Sequence, residues 1–90
     1  MIRPIVLKPT NPDIELLFNN FYNMHHPHGK AMRISRNTAS MLSKNKAARE
    51  LINLDVLDIT HRDNGPKRSI VYLNHNVKIE KKNNTFVFRI

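Results

Sequence analysis

The hydrophobic periodicity of the chain changes near Asp55, and this change constrains the fold more than any other feature. Before it, apolar residues recur at helical spacing, as in Ile14, Leu17, Phe18 and Phe21; after it, they alternate with polar residues. Helical spacing predicts amphipathic helices, whereas alternation predicts half-buried strands. The sequence therefore predicts an α+β fold with three helices before residue 55 and mainly sheet after it.

The stretch from Ser43 to Leu57 contains this change, as a short basic helix that leads into an apolar strand, with Ser43 as the candidate N-cap. On a helical wheel one half of the helix is apolar and would face the core, whereas the other half is polar. The apolar half holds Ala47, Ala48, Leu51, Ile52 and Leu54, and the polar half holds Asn45, Lys46, Arg49, Glu50 and Asn53. We expect Leu51 to pack against Phe18 and Phe21, because the apolar faces of these two helices have no other large partner.

Turn and capping signals predict the elements before this helix. Thr10-Asn11-Pro12-Asp13 is typical of a helix start, with a capping side chain followed by proline and a carboxylate. A short β-branched strand is expected at residues 2–8. The segment from Ala31 to Ser35 fits either a strand or the start of the next helix, and Thr38 to Leu42 predicts a short helix ending at a tight corner.

Two hairpins are predicted after residue 55. The first joins a strand from Val56 to a strand from Ser69 through a loop containing Asn64-Gly65-Pro66, which favours a turn. The second occupies residues 76–90, turns at Asn83-Asn84, and alternates core phenylalanines with outward residues. The chain is thus expected to end in sheet.

Length and composition predict one domain, residues 1–90, with a single core. Ninety residues with 40% apolar content suffice for one small core. Without cysteine, neither disulfides nor cysteine-based zinc sites can stabilise it. No apolar run approaches the roughly 20 residues that span a bilayer, and the first residues are too short an apolar run for a signal peptide. We therefore expect an intracellular, cytoplasmic protein with no membrane contact.

The net charge of +8 is unevenly distributed. Residues 1–29 are neutral, residues 30–54 hold six cations and one carboxylate, and residues 55–90 hold seven cations and four carboxylates. A field of this sign attracts polyanions and accelerates their association. Charge alone does not separate DNA from RNA or from an acidic protein.

Metal binding and catalysis are not expected. His25, His26 and His28 lie close together, but no cysteine, HExxH motif or acidic cluster accompanies them, and Pro27 works against convergence of the three rings. The carboxylates are scattered, there is no nucleophile motif, and two glycines cannot form a Gly-rich phosphate loop. We expect a protein without metal, cofactor or enzymatic activity.

The segment from about Ile34 to Asn74 resembles the winged helix-turn-helix family of DNA-binding domains. The resemblance rests on Thr38-Ala-Ser-Met-Leu42, on a helix ending Ala-Arg-Glu-Leu-Ile-Asn-Leu54, on the exit Asp55-Val-Leu-Asp-Ile59 and on a hairpin closing at Val71-Tyr72-Leu73. It implies a winged helix with three N-terminal helices, a wing hairpin and an extra C-terminal hairpin. Because such domains usually have glycine at the exit, Asp55 must adopt the left-handed conformation there.

The resemblance also implies a recognition helix, residues 44–54, in the major groove and a wing, residues 62–68, on the DNA backbone or minor groove. The residues themselves indicate the same surface, because cations and amides suit phosphates and base edges. The expected DNA-binding side chains are Lys44, Asn45, Lys46, Arg49 and Asn53 on the helix and Arg62, Lys67 and Arg68 on the wing.

The expected function is that of a non-enzymatic, nucleoid-associated protein that binds double-stranded DNA and regulates transcription or replication. The first alternative is a protein-interaction module that binds an acidic partner and modulates a larger machine such as a polymerase. The second alternative is RNA binding, although an aromatic RNP-type sheet signature is missing. Monomeric and homodimeric states both remain open.

Overall fold

The structure is a computed structural model that describes residues 4–24, 30–62, 67–74 and 77–89. In these residues three helices and six strands follow one another in the order β-α-β-α-α-β-β-β-β. They are β1 (Pro4–Leu7), α1 (Pro12–Asn23), β2 (Lys30–Ser35), α2 (Arg36–Lys44), α3 (Lys46–Asn53), β3 (Leu57–Arg62), β4 (Arg68–Leu73), β5 (Lys78–Lys82) and β6 (Thr85–Arg89).

The strands form two antiparallel sheets of three strands each. Sheet A has the order β1-β6-β5 and sheet B the order β2-β4-β3. The central strands are β6 and β4, and each pairs with a strand that is distant in sequence as well as with its hairpin neighbour. Helix α1 contacts β2 and β5, whereas α3 contacts β1 and β3, so the helices connect the two sheets.

The predicted winged helix is wrong. The strand expected at residues 2–8 is present before the first helix as β1, but it completes the expected extra C-terminal hairpin into a second three-stranded sheet. The physical reason is that Ile5 and Leu7 alternate with exposed Pro4 and Val6, so that β1 needs a sheet partner to bury its apolar side. Pairing over such a sequence distance leaves no local signal.

One hydrophobic core joins all three helices to both sheets. Phe18 of α1 lies at its centre, with its ring centroid 5.8 Å from that of Phe86 and 5.5 Å from that of Phe88. Leu51 is fully buried in the same cluster as Phe18 and Phe21. The premise that these apolar stripes have no other large partner is therefore wrong, because β6 supplies two phenylalanines.

Several helix and strand boundaries lie at the capping and turn residues of the sequence. Asn11 caps α1 through its side-chain oxygen, which accepts hydrogen bonds from the backbone N–H of Asp13 and Ile14, and Pro12 occupies the first turn. The ambiguous segment before α2 is strand β2, and its end residue Ser35 caps α2. Asn83, with φ 56°, makes the turn between β5 and β6.

None of the helices in the described ranges is suited to crossing a bilayer: the longest, α1, has 12 residues. A transmembrane helix requires roughly 20 apolar residues.

Candidate nucleic-acid interface

Helices α2 and α3 are joined by a single residue, Asn45. Its backbone N–H donates to the carbonyl of Leu42 and so ends α2. Its side-chain oxygen accepts a hydrogen bond from the N–H of Ala48, 3.1 Å away, and so caps α3. Because one residue ends α2 through its backbone and caps α3 through its side chain, the two helices form a tight corner.

This corner corrects two predictions. Ser43 is not the N-cap of the central helix, since its hydroxyl donates to the carbonyl of Ala39 inside α2. Asn45, which was predicted to contact DNA, is half-buried, and its side-chain oxygen is engaged as the cap of α3. The predicted helix of residues 44–54 is thus divided: Lys44 is the last residue of α2, and α3 begins at Lys46.

Helix α3 presents a stripe of polar side chains opposite its buried residues. Ala48 and Leu51 are fully buried, whereas Lys46, Arg49 and Asn53 are exposed. The exposed residues are spaced by three and four positions and therefore share one helix face. The structure brings these three predicted residues together, and we call them the α3 face.

Arg62, Lys67 and Arg68 lie together at the end of the hairpin formed by β3 and β4. Arg62 and Arg68 are cross-strand partners, and all three side chains are exposed. The guanidinium Nη2 of Arg36 lies 3.5 Å from the carbonyl oxygen of Arg62, which places a further cation beside them. The loop residues 63–66, including Asp63 and the predicted Asn-Gly-Pro turn, lie outside the described residues.

Arg33 lies close to the hairpin end, and we call Arg33, Arg62, Lys67 and Arg68 together the basic region. Arg33 was not among the predicted site residues. It lies on β2 and faces outward, next to Ser35, which pairs with Arg68. Together with Ser35, Lys67 and Arg68 it lines a shallow recess of about 290 Å³. The alternation within residues 30–35 could have placed it on an outer face, but only the pairing of β2 with β4 brings it to the hairpin.

Two other cations are hydrogen-bonded to groups of the protein itself. The ammonium of Lys30 donates to the carbonyl of Phe21, 2.7 Å away, and partial burial lowers the pKa of this lysine. Arg89 on sheet A donates to Glu80 at 3.0 Å, and this hydrogen bond lowers the pKa of the Glu80 carboxyl. Neither cation contributes to the α3 face or to the hairpin end.

The predicted histidine cluster at residues 25, 26 and 28 lies outside the described residues. Within the described part of the chain, no three histidine, aspartate or glutamate side chains are grouped to hold a metal ion. His61 is hydrogen-bonded through Nδ1 to the hydroxyl of Ser69 at 2.7 Å. Ser69 is fully buried, so this bond satisfies a polar group in the inner face of sheet B.

The basic region can donate hydrogen bonds and positive charge to a ligand. Arginine and lysine side chains carry donors only, which suits phosphate groups and the acceptor edges of bases. Comparison of the chain with protein-family models, with curated proteins and with solved structures gives no match.

Proposed function

We propose that this protein binds double-stranded DNA, without enzymatic activity, and regulates transcription or replication. The observation that supports the proposal is the α3 face, on which Lys46, Arg49 and Asn53 are exposed together while the opposite side of the helix is buried. Helix α3 follows α2 after one residue, a tighter corner than the turn of three to four residues in a helix-turn-helix unit, whose second helix enters the major groove.

The dimensions of α3 suit this role. An α-helix with its side chains is about 10–12 Å in diameter, which fits the roughly 12 Å width of the major groove. Arg49 lies in the middle of the exposed stripe, and its planar fork can hold two acceptors of a guanine edge or clamp a phosphate. Asn53, one turn later, has the donor and acceptor that an adenine edge requires.

The hairpin end would provide the phosphate contacts. Arg62, Lys67 and Arg68 are exposed and carry three positive charges on one short hairpin. Phosphate contacts orient a protein on the duplex but carry no sequence information, whereas base contacts do. The proposal therefore assigns affinity mainly to the hairpin and sequence preference mainly to α3, with Lys44 as an additional phosphate contact.

The assignment to α3 is tested by Arg49→Ala. Loss of a central base or phosphate contact should weaken binding to a selected duplex by about 1–3 kcal/mol and reduce the preference at one base pair. Selection of binding sites from a random duplex library, followed by shift assays, would measure both effects. Lys82→Ala on sheet A also removes one exposed cation and serves as the control, with little change expected.

The assignment to the hairpin is tested by replacing Lys67 and Arg68 together with alanine. Affinity for all duplexes should fall alike, and the slope of log affinity against log salt should decrease by about two, because two fewer counterions are released. If both variants kept full duplex affinity and an acidic protein were captured through the same residues, the protein-interaction alternative would replace DNA binding.

One observation favours a protein partner as the second candidate function. On the outer face of sheet A, Val6 is 56% exposed and lies opposite Val87, which also pairs with Glu80. Lys78, Lys82 and Arg89 surround this row, and Arg89 neutralises Glu80, so that two of the three cations are left in excess. An acidic protein segment with one aliphatic side chain would complement this face. Val6→Glu should abolish capture of such a partner and leave DNA affinity unchanged. Equal capture by the wild-type protein and by Val6→Glu would exclude this face as the binding surface of the partner.

A further inference from the structure

The outer face of sheet B, directed away from the helices, carries side chains unlike those of its inner face. Along the central strand β4, Ser69, Val71 and Leu73 are buried, whereas Arg68 and Tyr72 are exposed and Ile70 is half-buried between them. Tyr72 is 39% exposed, although it lies on the central strand of the sheet. A large aromatic ring is therefore accessible on the central strand, near one end of this face.

The register places the neighbours of this ring. Ala31 and Asp58 flank Tyr72 on β2 and β3, and the next outward row contains Arg33, Ile70 and Thr60. The last row contains Ser35, Arg68 and Arg62. Arg33 thus lies about 7 Å along the sheet from the row of Tyr72, and the other two arginines about 13 Å from it.

The open face of an antiparallel sheet is ordinarily a solvated surface with interspersed charges. This face differs in two respects. Among the residues that the structure describes on this face, three arginines, one from each strand, occur with a single carboxylate, Asp58, which lies in the row of Tyr72 at the other end. Moreover, Ala31 is too small to cover the Tyr72 ring, so the ring remains accessible beside an arginine cluster.

We propose that the outer face of sheet B binds single-stranded nucleic acid, independently of the α3 face. One base would stack on Tyr72, and the phosphates of adjacent nucleotides would lie on Arg33, Arg62 and Arg68. Single-strand sites combine aromatic stacking platforms with cationic tracks in this way. Duplex DNA does not fit, because its bases are already stacked on one another and only their edges are accessible. Asp58 repels phosphate, so the backbone follows the arginine end.

The recess lined by Arg33, Lys67 and Arg68 supports this orientation, since it lies at the arginine end of the face and can accommodate a phosphate. Nucleotide stacking on Tyr72 is preferred here over an acidic peptide, because a peptide carboxylate would use the arginines but has no need of the exposed ring. DNA and RNA single strands share the required chemistry, and separate measurements with each distinguish them.

The chain has two tyrosines and no tryptophan, so the environment of Tyr72 can be observed directly. In Tyr22→Phe, tyrosine fluorescence comes from Tyr72 alone. Addition of DNA or RNA oligonucleotides of about 12 nucleotides, within the site sizes of single-strand-binding domains, should quench that fluorescence. In Tyr72→Phe, which keeps an aromatic ring for stacking, the same oligonucleotides should bind with little change in the remaining Tyr22 signal.

Affinity provides the second measurement. Loss of one stacking interaction in Tyr72→Ala should raise the Kd for the single strand about 5- to 100-fold. The control is Tyr22→Ala, which removes a tyrosine of similar exposure, 41%, from α1 and should leave the Kd unchanged. Arg49→Ala should weaken duplex binding only, so failure of this proposal and failure of duplex binding give different results.

The proposal is overturned if the single strands bind without quenching Tyr72, if Tyr72→Ala and Tyr22→Ala have equal affinities, or if neither DNA nor RNA single strands bind. Displacement of a bound oligonucleotide by poly-glutamate but not by a second oligonucleotide would also contradict it. A Kd increase for DNA alone, or for RNA alone, supports the proposal and identifies the strand.

Discussion

At the scale of single residues, Asp55 shows how the backbone leaves α3. Its φ is 61°, in the left-handed region, as predicted from its position at the helix exit. The N–H of Asp55 donates to the carbonyl of Ile52, and the N–H of Val56 donates to the carbonyl of Leu51 at 2.9 Å. These two bonds form a Schellman motif, which directs the chain into β3.

Asp55→Gly should stabilise the protein by about 0.5–1 kcal/mol. Glycine relieves the cost of about 1–2 kcal/mol for a left-handed residue with a Cβ, and the larger entropy of its unfolded chain offsets part of this gain. Urea denaturation midpoints would measure the difference. Asp55→Val, with a branched Cβ in the same conformation, should shift the midpoint in the opposite direction; a higher midpoint for valine would contradict this account.

For α3, the polar face was predicted but the capping residue was not. The polar face of α3 was predicted correctly, because helical spacing separates Lys46, Arg49 and Asn53 from Ala48 and Leu51. The cap was misplaced because Ser43 and Asn45 are both good capping residues. Which of the two caps α3 depends on where α2 ends, and the sequence does not show that end.

At the scale of elements, α3 is positioned by one central side chain. Leu51 is fully buried in the core and belongs to the same helix as the exposed Arg49, so packing of Leu51 orients the polar face. Helix α3 contacts α2, β1 and β3, which together include both sheets. An eight-residue helix is marginal in isolation, and its stability therefore comes from this packing.

Leu51→Ala should reduce the free energy of unfolding by about 2–5 kcal/mol, through lost burial and the cavity that remains. The matched control is Leu54→Ala, because Leu54 is the C-cap residue of the same helix but is 51% exposed. Calorimetry or chemical denaturation would compare the two. Equal losses in both variants would show that Leu51 does not anchor the helix.

Element-level prediction succeeded where the signal was local. The capping signals of α1, the strand alternation of both hairpins and the turn at Asn83 were all evident in the sequence and are present in the structure. The pairing of β2 with β4 was not, because nothing in residues 30–35 identifies a partner. As a result Arg33 was not assigned to the basic region, and the outer face of sheet B was not recognised.

At the scale of the whole molecule, the two sheets depend on one shared core. The inner residues of β1, Ile5 and Leu7, belong to the same buried cluster as Leu51, Val71 and Phe88. Prediction of a winged helix failed at this scale, because a four-residue strand became the partner of β6 and completed sheet A. The sequence distance between these strands is far beyond the range of any turn or periodicity argument.

Leu7→Ala should therefore destabilise the entire protein by about 2–5 kcal/mol in a single cooperative transition, although β1 is short. Leu7 is fully buried, whereas its neighbour Val6 is 56% exposed, so Val6→Ala provides the control, with a small change expected. Circular dichroism and core-amide hydrogen exchange would follow the transition. Separate melting of sheet A before sheet B would contradict a shared core.

The pairing of Pro4 with Arg89 has a consequence for the route by which the protein folds. The entropic cost of closing a loop increases with its length, and this pair encloses nearly all of the described chain. Sheet B, α2 and α3 are instead contiguous within residues 30–73 and can form through shorter closures. We expect the nucleus to form there and β1 to join late, so that substitutions in β1 mainly accelerate unfolding while refolding rates remain nearly constant.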